Sequence, residues 1–169
     1  MMVKVTFKGS PVTLLGTELK AGDEAPNFTV VSNDLEEKTL DDYAGKVKLI
    51  SVVPSLDTGV CAKQTKRFNE EADKLDNVQL LTISMDLPFA QTRWCSTEGV
   101  KNIEIVSDHR EADFGKKYGV LIEELRLLAR SIFVVDSNNK VTYTEYVSEV
   151  GNHPDYDKAL EAAKKTSMG

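Results

Sequence analysis

Two cysteines, Cys61 and Cys95, are the residues of this chain best suited to covalent chemistry. Cys61 closes the run Pro54-Ser55-Leu56-Asp57-Thr58-Gly59-Val60-Cys61, where an apolar segment, Lys48 to Val53, gives way to a turn rich in Ser, Asp, Thr and Gly. Beyond it, Cys61, Thr65, Phe68, Ala72 and Leu75 recur at steps of four and three, the spacing of one helix face. The cysteine therefore falls in the first turn of a predicted helix, where free N–H groups and the helix dipole favour thiolate, the nucleophilic form. Keeping such a thiol ionised near neutral pH, a shift from about 8.5 to about 6, takes about 3.4 kcal/mol, and a helix terminus supplies at most ~2. A cation must supply the rest. His109 and His153 form no local Cys-His signature, so the candidates are Arg67, Arg93, Arg110, Arg126 and Arg130.

Plainer roles compete for the same residues. An unpaired cysteine is often a small core hydrophobe, and Asp57 or Thr58 can simply cap the helix. Thirty-three residues separate the cysteines, which excludes a Cys-x-x-Cys pair, and neither has a neighbour at zinc-ligand spacing. A separated pair suits another scheme: one thiolate is oxidised to sulfenic acid and the second thiol condenses with it to a disulfide. A general thiol–disulfide oxidoreductase would want the close pair missing here, and a binding domain with two inert thiols would show slow alkylation of both.

The elements that must position these groups read as one domain spanning residues 1–169. Val3 to Phe7 alternates with period two and, with Val12 to Leu15 beyond Gly9-Ser10-Pro11, predicts an N-terminal hairpin. Asn27 to Val31 is extended, Thr39 to Tyr43 a short helix, and Lys48 to Val53 a strand buried on both faces and stopped by Pro54. After the Cys61 helix come a strand (Val78 to Met85), a helix with proline in its first turn (Pro88 to about Thr97), a strand (Ile103 to Val106) and a helix (Glu111 to Tyr118). Ser131 to Val135 and Val141 to Val147 flank a turn-rich segment, and Pro154 to Lys165 closes with a helix. Such strand–helix alternation with a terminal hairpin implies an α/β domain with a central mixed sheet.

Of the 169 residues, 41% are hydrophobic and 28% charged, an ordinary globular composition. With 21 Lys plus Arg against 27 Asp plus Glu, the net charge of −6 and the lack of any basic block longer than a pair argue against nucleic-acid binding. No segment has the ~20 apolar residues of a membrane span, and the N-terminus lacks a secretory apolar core, so a cytoplasmic protein without membrane association is expected. In a reducing cytosol, two cysteines are buried thiols or redox groups rather than a structural disulfide.

Three motifs now carry a family resemblance: Pro54 to Cys61; Asp86-Leu87-Pro88-Phe89-Ala90-Gln91 leading to Trp94-Cys95; and Leu127-Leu128-Ala129-Arg130 before a strand. Together with Asn69-Glu70-Glu71-Ala72 and the N-terminal hairpin, they resemble the thiol peroxidase branch of the peroxiredoxins along nearly the whole chain. The resemblance implies a thioredoxin-like fold, reduction of a peroxide substrate within one chain by two cysteines, thioredoxin as reductant, a homodimer, and no metal or organic cofactor. Residue by residue, it implies Cys61 as the attacking thiol, Cys95 as the resolving one, Thr58 as the hydroxyl beside the sulfur and Arg130 as the cation. Pro54, Thr58, Gly59, Val60 and Arg130 would hold the peroxide. Gly59 departs from the proline of many members, and Ser131 from a common alanine. Leu56, Phe89 and Trp94 could line an apolar groove or simply pack in the core.

Overall fold

The computed structural model describes residues 4–71, 74–75, 77–100 and 103–168. Seven strands form the main sheet: β4 (Thr29–Val31), β5 (Glu37–Thr39), β6 (Val47–Val52), β7 (Val78–Ser84), β8 (Glu104–Ser107), β11 (Ser131–Val135) and β12 (Val141–Tyr146). Their order is β12-β11-β6-β7-β8-β4-β5, with β6, β7 and β8 parallel and the flanking pairs antiparallel. The parallel links are crossovers through α1 (Gly59–Glu71) and α2 (Pro88–Glu98). Every residue of β6 and β11 is buried, because both faces of the sheet are covered.

Alternation along β6 sorts its side chains between two cores. Val47 and Leu49 meet Phe68 of α1 and Ala159 and Ala163 of α4 (Tyr156–Met168). Ile50 and Val52 point the other way, into a core with Phe114 of α3 (Asp113–Lys117), Tyr118 and Phe133. A third cluster, Val53, Leu56, Cys61, Trp94, Val100 and Ile105, joins the start of α1 to α2. Among the described residues, no helix is long and apolar enough to cross a membrane.

The mixed sheet and the N-terminal hairpin match expectation, but the hairpin's register does not. β1 (Val5–Phe7) pairs with β2 (Ser10–Val12) across a two-residue turn, Lys8-Gly9, whose φ values of 52° and 82° fit the strand twist. The expected return strand is therefore split. Leu14–Leu15 (β3) leaves the hairpin to pair with β9 (Leu121–Ile122), which also pairs with β10 (Leu127–Leu128). The Glu111 to Tyr118 helix is shorter than expected, since Ala112 is left-handed at φ 53° and the Asp108 carboxylate accepts the N–H groups of Phe114 and Gly115. The 40–43 segment is a 3-10 turn. Val3 of the expected hairpin and Ala72 of the expected helix face lie outside the described residues.

Candidate active site

Pro54, with no N–H to donate, follows the last main-chain bond of the central strand, from Val53 N–H to the Ile83 carbonyl. The chain then turns on Ser55. Both the N–H and the hydroxyl of Thr58 donate to the Ser55 carbonyl, at 3.3 and 3.0 Å. The Ser55 hydroxyl donates to Asp86 Oδ1, and Leu56 N–H donates to Asp86 Oδ2, both at 2.8 Å. Thr58 is the helix N-cap through its carbonyl, which accepts Ala62 N–H at 3.0 Å, while its side chain turns back to Ser55 rather than capping. The N–H groups of Gly59, Val60 and Cys61 precede that first intrahelical bond.

Cys61 is fully buried, the third residue of α1. Arg130, immediately before β11 and only 2% exposed, donates from Nη2 to Cys61 Sγ at 3.2 Å. Its Nη1 donates to Gln64 Oε1 at 2.8 Å and its Nε to the Val150 carbonyl at 2.7 Å. Of the five candidate arginines, Arg130 is the one bonded to the sulfur, whereas Arg67 pairs with Glu71 and Asp157 at the surface. Among the described residues no carboxylate pairs with Arg130. A buried guanidinium is costly without partners, and Arg130 directs its donors to the Cys61 sulfur, Gln64 and Val150.

Gln64 did not emerge from sequence reasoning. Fully buried, it donates from Nε2 to the Ser51 hydroxyl at 2.7 Å, which turns its oxygen toward Arg130. The available signal was a polar residue three positions after Cys61, on the helix face read as apolar.

Above these groups lies a pocket of about 220 Å³ lined by Pro54, Thr58, Gly59, Val60 and Arg130, and also by Phe7, Lys8, Ser55, Leu127, Val150 and Gly151. Apart from Ser55, which belongs to the Cys61 turn, the second set has no local signal, because it comes from the hairpin, β10 and the loop after β12. Glu149 pins the hairpin in place by accepting from Gly151 N–H, Gly9 N–H, the Thr6 hydroxyl and Lys8 N–H at 2.8–3.3 Å. Those donors, Gly151 first, hold its carboxyl down to about 2.

Cys95 lies in α2, half-buried against the cluster that contains Cys61, and both cysteines are free thiols. Burial pushes the Cys95 thiol up, so the folded helix keeps it protonated. Leu56 and Trp94 pack in that cluster rather than in a groove, Phe89 is 69% exposed, and none of the three lines the pocket.

Residues 20–160 match the Redoxin family. A thiol peroxidase of Oceanobacillus iheyensis is 66% identical over 97% of this chain and 100% of its own length. The chain belongs to the thiol peroxidase branch of the peroxiredoxin family. A thiol peroxidase of Bacillus subtilis is 63% identical over 96% of this chain and 98% of its own. The solved structure of a peroxiredoxin-like protein from Aquifex aeolicus superposes with a TM-score of 0.92 at 43% identity, covering 98% of each chain. The enzyme is thus a thiol-dependent peroxidase on a thioredoxin-like fold.

Proposed function

We propose that this peroxidase reduces organic hydroperoxides and hydrogen peroxide at Cys61 and recycles through an intramolecular Cys61–Cys95 disulfide that thioredoxin reduces. The supporting observation is the Arg130 guanidinium 3.2 Å from the Cys61 sulfur, both buried beneath the pocket. The thiolate attacks one peroxide oxygen in line with the O–O bond. An S–O bond forms, the O–O bond breaks, and the departing oxygen keeps the electron pair, takes a proton and leaves as alcohol or water. Arg130 and the first-turn N–H groups stabilise charge developing on the oxygens. The Thr58 hydroxyl, its proton committed to Ser55, offers lone pairs to the hydroperoxide O–H and orients it. Pro54, Gly59 and Val60 wall the site, and Phe7, Leu127 and Val150 give it apolar surface for an organic body.

Cys95 then attacks the Cys61 sulfenic acid: the S–S bond forms, the S–O bond breaks, and hydroxide leaves as water. A disulfide needs Cα atoms within about 7 Å, and each cysteine sits in an intact helix, so one or both helices unwind. No metal or organic cofactor takes part. The chain works as one domain, in a homodimer, in the cytoplasm.

The test treats reduced protein with one equivalent of an organic hydroperoxide, quenches within a second, and follows intact mass with a nonreducing peptide map. Loss of two hydrogens with a linked Cys61–Cys95 peptide is the expected result. Two free thiols would refute the cycle.

A further inference from the structure

Asp86 lies in the bend between β7 and α2, outside the pocket lining. Its two oxygens take three donors at 2.8 Å: the Ser55 hydroxyl on Oδ1, and Leu56 N–H and the Ser84 hydroxyl on Oδ2. Ser55 and Leu56 belong to the turn that leads into the Cys61 helix. Ser55 also accepts Asp57 N–H and both donors of Thr58, so the whole turn hangs from this carboxylate. On the other side, the Ser84 hydroxyl accepts Gln91 Nε2 at 3.0 Å, and that nitrogen also donates to the Val106 carbonyl at 2.9 Å. Gln91 is fully buried and sits one helical turn before Cys95. One chain of hydrogen bonds therefore runs from the Cys61 turn through Asp86 and Ser84 to the Cys95 helix. Besides this chain, the helix is held by Trp94 in the cluster it shares with Cys61 and by the Lys66–Glu98 ion pair to α1, and only Pro88, Gln91 and Trp94 of its eleven residues are buried.

We infer that Asp86 is a positioning residue that latches the Cys61 turn to the leader of α2, and so sets whether the Cys61 sulfenic acid is resolved by Cys95 or oxidised again. The inference rests on the two-cysteine cycle above. While the latch is closed, the pocket stays assembled and suits peroxide. A second hydroperoxide can then meet the sulfenate: another S–O bond forms, its O–O bond breaks, alcohol leaves, and Cys61 becomes sulfinic acid. When the latch opens, both helix starts are released and the sulfurs can meet. Three hydrogen bonds to a carboxylate make opening steep, since losing one charge-assisted bond shifts such an equilibrium by about tenfold or more.

The experiment uses reduced full-length enzyme and Asp86→Ala, with graded excess cumene hydroperoxide. Mass spectrometry counts Cys61 sulfinic acid against the Cys61–Cys95 disulfide, and stopped flow gives the rates of peroxide consumption and disulfide closure. Asp86→Ala, which removes all three bonds, is expected to lower the sulfinic-to-disulfide ratio by at least about tenfold, speed closure and slow peroxide consumption. Asp86→Asn, which keeps the shape and one accepting oxygen, moves the ratio the same way by less. Ser55→Ala, which cuts one of the two links from Asp86 to the Cys61 turn and leaves Leu56 N–H in place, also lowers it, by less than Asp86→Ala. Ala163→Gly in α4 supplies a comparable loss of global stability and leaves the ratio unchanged, which separates latching from general weakening. An unchanged ratio in the folded Asp86 variants, with disulfide forming in the parent, overturns the latch. Absence of that disulfide in the parent enzyme refutes the two-cysteine cycle instead.

Discussion

Replacing Arg130 with glutamine removes the cation that donates to the Cys61 sulfur while leaving a side chain that can still donate to a carbonyl. At 3.2 Å and an effective dielectric of about 20, the pair is worth about 5 kcal/mol of Coulomb energy, and desolvation of two buried ions takes back much of it. The net for a hydrogen bond to a charged group is about 1.5–3 kcal/mol, and a central value of about 2 corresponds to roughly 30-fold. Arg130→Gln should therefore slow the second-order reaction with peroxide by about 10- to 100-fold. The assay is stopped-flow peroxide kinetics in a Cys95→Ser background, where only Cys61 reacts, combined with a urea titration that checks folding. Arg130→Lys keeps the charge but loses the fork that also holds Gln64 and Val150, and should fall between. A peroxide rate within twofold of the parent, in a folded Arg130→Gln protein, would refute the pairing.

Cys61→Ser should abolish peroxidase turnover, whereas Cys95→Ser should consume one equivalent of peroxide and then stall with thioredoxin; steady cycling in a coupled assay would contradict either role. At Gly59 an added Cβ meets nothing within 4 Å, so Gly59→Ala should stabilise the start of α1 by about 0.4–1 kcal/mol and slow disulfide closure two- to fivefold. Closure at the parental rate would mean that α1 does not unwind there. Burial pushes the Asp108 carboxyl up to about 6 against the N–H bonds of Gly115 and Phe114, while the unfolded chain ionises near 3.9. The folded state thus binds the extra proton, and this contribution, full below about pH 4, is lost as pH rises through about 6. Urea titrations should show Asp108→Asn gaining up to about 3 kcal/mol relative to the parent across that window, and a pH-independent difference would contradict the assignment.

The sequence was most legible where the signal is periodic. Cys61, Thr65 and Phe68 mark a helix face whatever surrounds them, and the apolar run from Lys48 to Val53 can only be a strand covered on both sides. Proline and the small polar residues between them placed the turn, and hence the thiol at a helix start. The need for a cation also followed from the residues, because a helix terminus alone falls short in energy. Which of five arginines answers it was a matter of family resemblance until the fold set Arg130 at the start of β11, whose Ser131 pairs with Val52 of β6, and so beside the sulfur.

Other features have no local signature. Lys8 and Gly9 both adopt positive φ, so the hairpin turns one step earlier than Gly9-Ser10-Pro11 suggests, and Leu14–Leu15 is free to pair with a segment more than a hundred residues away. Gln64 and Glu149 carry no sequence signal for the roles they take, and Asp86 entered only as part of a motif. Each sits among donors or acceptors contributed by other elements. Periodicity and turn chemistry are properties of neighbours along the chain, so the sequence alone determined the main helices, the central strands and the place of Cys61 at a helix start. Which polar groups end up sharing one water-poor space is settled only when the sheet closes, and the tertiary structure therefore decided the charge beside Cys61, the walls of its pocket and the latch that holds them.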